Sequence, residues 1–364
     1  MKHLFGPLDF KRGRAMKNRF MLAPLTNCQS HDDGTLSDDE YRWLTMRAEG
    51  GFGLTMTCAS HVQARGRGFA GQLGIFSDAQ LDGLVRLAAA IRGAGSLAMA
   101  QLHHAGMRAP AALIGEQPVC PSDDAETGAR ALDLAEVEQL VEDFSAAALR
   151  AERAGFDGVE LHAAHGYVLA QFLSPEINRR EDRCGGSIDN RSRILFDILA
   201  AVRARCRADF TVGVRLSPER FGLRLPEIVS LAENLIGSDK VDFLDLSLWD
   251  VFKEPQDAEF QGRSLLSYFT SLDRGTVRMG AAGKISNGQD AMRCLEAGLD
   301  FVIVGRAAIL HHDFPERVRA DPGFQARELP VTPEYLYREG LSPKFVDYMG
   351  NWKGFVTSQA AVET

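Results

Sequence analysis

The sequence predicts an α/β protein of the (β/α)8 TIM-barrel class, with an N-terminal hairpin closing the barrel floor, and three observations predict it. Eight short apolar runs recur along the chain: RFMLAPL, FGLTMT, SLAMAQL, FDGVELH, FTVGVRL, VDFLDLS, TVRMGAAG and DFVIVG. Between them lie stretches with apolar residues at helical spacing that end in glycine, such as LAEVEQLVEDFSAAALRAERAG and NGQDAMRCLEAG. The length of 364 residues fits one large barrel. Near-continuous apolar strands alternating with helices imply a parallel sheet covered by helices, and eight repeats favour closure over an open sheet.

Taken in order, LFGPLDFKRGRAMKNRF before the first strand is punctuated by turn residues and reads as the floor hairpin. After the third strand comes HHAGMRAPAALIGEQPVCPSDDAETGARALD, a proline-bearing loop of a length that is usually functional or disordered. From about residue 322 an irregular, aromatic-rich tail follows, expected to pack on its own barrel or on a neighbouring subunit of a homo-oligomer. Residues 1–364 are read as one domain.

Hydrophobic residues make up 45% and charged residues 25%, which is globular composition. The net charge of −8, without blocks of like charge, argues against a nucleic-acid partner. The N-terminus lacks a signal-peptide core, and no apolar run approaches membrane length, so a cytoplasmic protein with no membrane partner is expected. NRS at 190–192 is then an idle glycosylation match. The six cysteines form no close cluster, so reduced thiols are expected rather than a zinc or iron–sulfur site.

In such a barrel the chemistry lies where strands end. That rule selects Thr26 after the first strand, Gln101 with His103 and His104 at the third, His162, His165 and Tyr167 at the fourth, and Arg215 on the fifth. Standing alone, two histidines three apart could bind a metal if a third ligand existed, or be hydrogen-bonded within a loop; a tyrosine beside them is ordinarily a packed aromatic. GRGFAG at 66–71 satisfies GxGxxG literally, but no helix start follows it, so it reads as a flexible glycine loop rather than a dinucleotide site. Glycines with Lys284 and Arg306 after the last two strands form the usual barrel seat for a phosphate. Together these residues describe a phosphorylated cofactor with a substrate above it.

At this point the sequence resembles the old yellow enzyme family of FMN-dependent ene reductases. The resemblance spans the barrel through NRFMLAPLTN, AQLHHAG, VGVRLSP, GKIS and VGRAAI, and is most specific in the block at 159–193, with its histidine pair, tyrosine and FLSPEINRREDRCGGSIDNRSR continuation. It implies tightly but non-covalently bound FMN, NAD(P)H as co-substrate, and an activated alkene (enone, nitroalkene or maleimide) as small-molecule partner. Ala23, Pro24, Leu25 and Thr26 would line one flavin edge, with the Thr26 hydroxyl tuning its potential. The backbone at Cys58 would face the flavin, its thiol being incidental. Gln101 would pair with the pyrimidine edge and Arg215 would favour the reduced, anionic ring. Gly283, Gly305 and Arg306 would hold the phosphate.

By the same resemblance, His162 and His165 donate hydrogen bonds to the substrate's activating oxygen. Tyr167 protonates the α-carbon after hydride from flavin N5 has reached the β-carbon. NAD(P)H would use the same pocket, giving ping-pong kinetics without a Rossmann domain. Three residues depart from the pattern. Thr26 stands where one branch has cysteine, Cys28 where a larger substrate-binding residue is common, and Cys184 where an aromatic is common. The rival readings are a metal-dependent barrel hydrolase using His162 and His165, and a non-catalytic flavin-binding protein.

Overall fold

A computed structural model describes residues 2–357. The strands are β1 (Phe20–Leu22), β2 (Leu54–His61), β3 (Leu97–His103), β4 (Gly158–Ala163), β5 (Thr211–Leu216), β6 (Phe243–Ser247), β7 (Arg278–Ala282) and β8 (Phe301–Val304). Each pairs in parallel with the next, and β8 pairs with β1, so the sheet closes. All eight expected strands are present.

Side chains alternate between barrel interior and helix layer because the strand period is two. On β4, Val159, Leu161 and Ala163 join the helix-facing core while Glu160 and His162 point inward; on β5 and β6 the inward residues are Arg215, Asp245 and Ser247. The lowest inward layer is apolar. Met21, Leu54, Met56, Leu97, Met99, Phe243, Phe301 and Ile303 form one cluster with Leu8, Phe10 and Met16 from the N-terminal segment. The floor hairpin is present in reduced form, as one antiparallel bridge in which Leu8 and Met16 exchange backbone hydrogen bonds of 3.0 and 2.9 Å. Phe10 wedges from below against Phe243 and Phe301, at ring separations of 5.6 and 6.4 Å.

Two strand glycines belong to this floor. A Cβ at Gly213 would fall 2.1 Å from Phe243 Cζ, and one at Gly280 would fall 2.3 Å from Phe301 Cε2. The rings fill the space those side chains vacate, which explains glycine inside strands that otherwise favour branched residues.

The helix between β3 and β4 runs Leu134–Arg153. It opens on a capping box in which Asp133 accepts from the Glu136 N–H and Glu136 reaches back to the Asp133 N–H. Gly155 follows in the left-handed region that stops a helix.

The C-terminal segment is more regular than its sequence suggests. Pro333–Arg338 and Pro343–Gly350 are short helices with proline in the first turn and Thr332 and Ser342 as caps. They pack on their own barrel: Phe345 meets Trp43 edge to face at 4.9 Å, and the Ser342 N–H donates to Gln29 Oε1 at 3.0 Å. Residues 358–364 of the tail lie outside the described part. Among the described residues no helix is long and apolar enough to cross a membrane.

Candidate active site at the carboxyl ends of the strands

The parallel registers bring the strand ends to one level: Gln101 pairs with Glu160, His162 with Arg215, and Arg215 with Asp245. Side chains far apart in sequence therefore share one layer. Gln101 Nε2 donates to Glu160 Oε1 at 2.8 Å, and Arg215 Nε lies 3.0 Å from Asp245 Oδ2. All four are buried, and Glu160 Oε2, Arg215 Nε and both Asp245 oxygens lack a hydrogen-bond partner. Burial raises the pKa of Glu160, and the nearby Asp245 charge raises it further, against Arg215 and the Gln101 hydrogen bond. Burial also raises Asp245, against the Arg215 cation. Glu160 and Asp245 escaped the sequence reading, although the alternation that faced His162 inward applies to them as well.

Above this layer are the three residues chosen from the fourth strand. The His162 and His165 rings meet edge to face at 4.9 Å, and Tyr167 lies 5.2 Å from His162. His162 Nδ1 is buried without a partner. Burial drives both histidines well below the ordinary imidazole pKa; His103, Arg215 and Arg108 add to the effect at His162, as Arg215 and Arg108 do at His165. Burial thus favours the uncharged form of both rings.

His165 has φ 60°, a conformation non-glycine residues rarely take. Its N–H donates to Ser217 Oγ at 3.0 Å, its carbonyl accepts from Arg108, and its Nε2 meets Ser247 Oγ at 2.7 Å. Three contacts thus fix a strained residue, and the Arg108 guanidinium also covers the Tyr167 ring at 4.9 Å. Ser217 and Arg108, following strands five and three, and Ser247, ending strand six, carried no further sequence signal.

On β2 the register shifts between Met56 and Ala59. This irregularity turns Cys58 into the helix-facing core, where its buried thiol faces Glu40 and is pushed well up by burial and by that carboxylate. The thiol is directed away from the interior. The Gln101 N–H donates to Thr57 Oγ1 at 3.1 Å, so the hydroxyl bridges the irregularity.

Ala23 is buried at the barrel mouth, with Pro24, Leu25 and Thr26 half-buried beside it. Cys28 has φ 56° and a half-buried thiol pushed up to about 11 by burial and by Glu40. The tail supplies an unanticipated neighbour, Tyr348, whose phenol is raised by burial and by the nearby Cys28 and Tyr167, against hydrogen bonding with Trp352 and Thr26. The glycines of GRGFAG serve close packing: a Cβ at Gly66 would fall 2.4 Å from His104 Cδ2, and one at Gly71 2.3 Å from the Cys28 carbonyl oxygen.

After β7 and β8, whose register pairs Ile303 with Ala282, the segments at Gly283–Lys284 and Gly305–Arg306 run side by side. A Cβ on Gly283 would fall 2.7 Å from Asp250 N, so backbone there must approach backbone. Lys284 pairs with Asp250 at 3.0 Å, whereas Arg306 is exposed.

The diagnostic block beyond Tyr167 is a clamp. Asn178 Nδ2 donates to the carbonyls of Phe172 and Cys184, both at 2.8 Å, and Arg180 pairs with Asp182 while donating to Pro121 O at 2.8 Å. Arg191 holds Leu173 O at 2.9 Å and Glu227 at 2.7 Å. Cys184 packs as a buried small residue. Through Arg180 and Pro121 this block is tied to the long loop after β3.

The groups present suit a flavin mononucleotide. A glycine cradle with Arg306 lies at one edge, and a buried arginine and glutamine lie beneath the mouth. An unpartnered imidazole nitrogen, His162 Nδ1, lies in the same cluster. Among the described residues no third ligand converges on His162 and His165, and the metal-capable side chains that do converge are His312, Asp313 and Glu339.

Residues 3–322 match the family described as NADH:flavin oxidoreductase / NADH oxidase. The chain is 36% identical over 329 residues to a probable NADH-dependent flavin oxidoreductase, YqiG, of Bacillus subtilis, covering 87% of this chain and 88% of that one. The old yellow enzyme homologue from Zymomonas mobilis superposes with a TM-score of 0.79 at 29% identity, covering 94% of this chain and 98% of that one. Morphinone reductase in complex with tetrahydroNAD superposes at 0.78 with 28% identity and 99% coverage of both. The strand-end constellation and these matches agree: the chain belongs to the NADH:flavin oxidoreductase / NADH oxidase family, the old yellow enzymes, and is an FMN-containing, NAD(P)H-dependent oxidoreductase.

Proposed function

We propose that this oxidoreductase is an ene reductase acting on alkenes conjugated to a carbonyl, nitro or imide group. FMN held by these residues and recharged by NAD(P)H would supply the hydride for the β-carbon. The neutral imidazoles of His162 and His165 hold the activating oxygen and stabilise the charge that grows there. Tyr167, held at the foot of its helix and covered by Arg108, delivers the proton to the α-carbon. Thr26 and Tyr348 would wall the flavin edge, and Gln101 and Arg215 would hold its polar ring. The single observation that carries this reading is the convergence of two neutral histidines and a tyrosine over a buried Gln101–Glu160 and Arg215–Asp245 layer.

A single FMN-binding domain in the cytoplasm fits the one barrel and the six free thiols. The test is anaerobic stopped-flow spectroscopy of the flavin, reduced with NADH or NADPH and then mixed with enones, nitroalkenes and maleimides. Reoxidation by these acceptors with alkene saturation is expected. Bound flavin that none of them reoxidises would favour the non-catalytic reading.

A further inference from the structure

One imidazole of the site has no part in this scheme. His103 ends β3 on its inward face, fully buried. Its ring meets Tyr167 edge to face at 4.3 Å and lies 5.7 Å from His162, so it belongs to the same aromatic cluster. Its Nε2 has no hydrogen-bond partner.

The protonation of that nitrogen follows from Gln72. The Gln72 amide is oriented by two backbone groups: Oε1 accepts from the Gly68 N–H at 2.7 Å, and Nε2 donates to Ala59 O at 2.7 Å. A flipped amide would set oxygen against a carbonyl and NH2 against an N–H. The remaining Gln72 N–H therefore points at His103 Nδ1, 3.0 Å away, which must accept. Burial and the surrounding His104, His61, Arg108 and His165 keep the ring from taking a second proton. The proton of the neutral ring is thus on Nε2, the atom without a partner. An aromatic face is a poor substitute for an oxygen acceptor, so the Tyr167 contact leaves that N–H available.

Resting on the ene-reductase reading, we propose that His103 is a third hydrogen-bond donor of the substrate pocket, a specificity residue that takes the second oxygen of a nitro group while His162 and His165 hold the first. A lone ketone has no second oxygen to offer.

The test compares binding to the oxidised holoenzyme, without nicotinamide, followed by the visible flavin spectrum, for 1-nitrocyclohexene and cyclohex-2-enone. His103→Phe should weaken the nitroalkene roughly tenfold and the enone less than about twofold, and His103→Gln, which keeps a donor, should restore most of the loss. Equal weakening of both ligands, or of neither, would overturn the role. Nitrogen-15 NMR of the histidines in the wild-type holoenzyme is independent of any variant: Nε2–H at His103 is expected, and an Nδ1–H tautomer would refute the assignment. Undiminished binding of both ligands by the His162→Ala/His165→Ala variant would instead defeat the parent reading.

Discussion

His165 Nε2 and Ser247 Oγ are 2.7 Å apart across 82 residues of sequence, so the last residue of β6 orients an imidazole that follows β4. The hydroxyl can donate or accept, which lets His165 present its other nitrogen to a ligand as a donor. Replacing both His162 and His165 with alanine should weaken phenolic ligands and slow alkene reduction by about 10²–10³-fold while FMN stays bound. Ser247→Ala should weaken the same ligands less, because only orientation is lost. Spectral titration and rapid-mixing rates measure both, and unchanged turnover in the double variant would contradict the assignment.

Tyr167→Phe keeps the ring contacts with His103 and His162 and removes only the hydroxyl. The alkene half-reaction should slow by about 10²–10⁴-fold, with flavin reduction by NAD(P)H nearly unaffected. Equal slowing of the two half-reactions in stopped-flow traces would exclude proton donation.

Arg215 is the cation between two buried carboxylates, so Arg215→Met should leave Asp245 without its partner and destabilise the fold by about 3–5 kcal/mol. The Arg215→Met/Asp245→Leu variant should recover part of that loss in denaturant unfolding. Both should bind FMN more weakly than wild type by flavin fluorescence, since the cation is gone in each.

Gly213→Ala places a methyl in the space of the Phe243 ring and should destabilise by about 1–3 kcal/mol. Phe243→Leu in the same chain should relieve the clash, giving a non-additive double-mutant cycle. Additive losses would mean that the floor ring does not occupy that space.

Acid should loosen the protein. Burial lowers His61 to about 4 and His104 to about 3, and places His103, His162 and His165 well below their ordinary value. As pH falls below about 6.5 the unfolded chain takes up protons that the folded chain refuses, so each histidine removes about 1.4 kcal/mol of stability per pH unit until its folded pKa is reached. Glu160 and Asp245, raised in the fold, act in the opposite sense: their contribution is present at low pH and is lost as pH rises through their folded values. With His311 also lowered and Glu40 also raised by burial, six histidines oppose three carboxylates, and denaturant midpoints should fall from about pH 6.5 toward pH 5. His104→Gln should flatten that acid limb.

By itself the sequence determined the barrel and the strand tips, since apolar runs of strand length, helical spacing between them and the carboxyl-end rule are local properties. It also determined the histidine pair and tyrosine, because they follow one strand within a few residues. The tertiary structure decided what holds them. Gln72 fixes His103 across 31 residues, Gln101 meets Glu160 across 59, and Tyr348 comes from the tail to the Thr26 edge. The irregularity in β2 turned Cys58 outward where uninterrupted alternation would have turned it in. Such partners depend on register and on chain closure around the barrel, and neither leaves a periodic trace in the neighbouring residues.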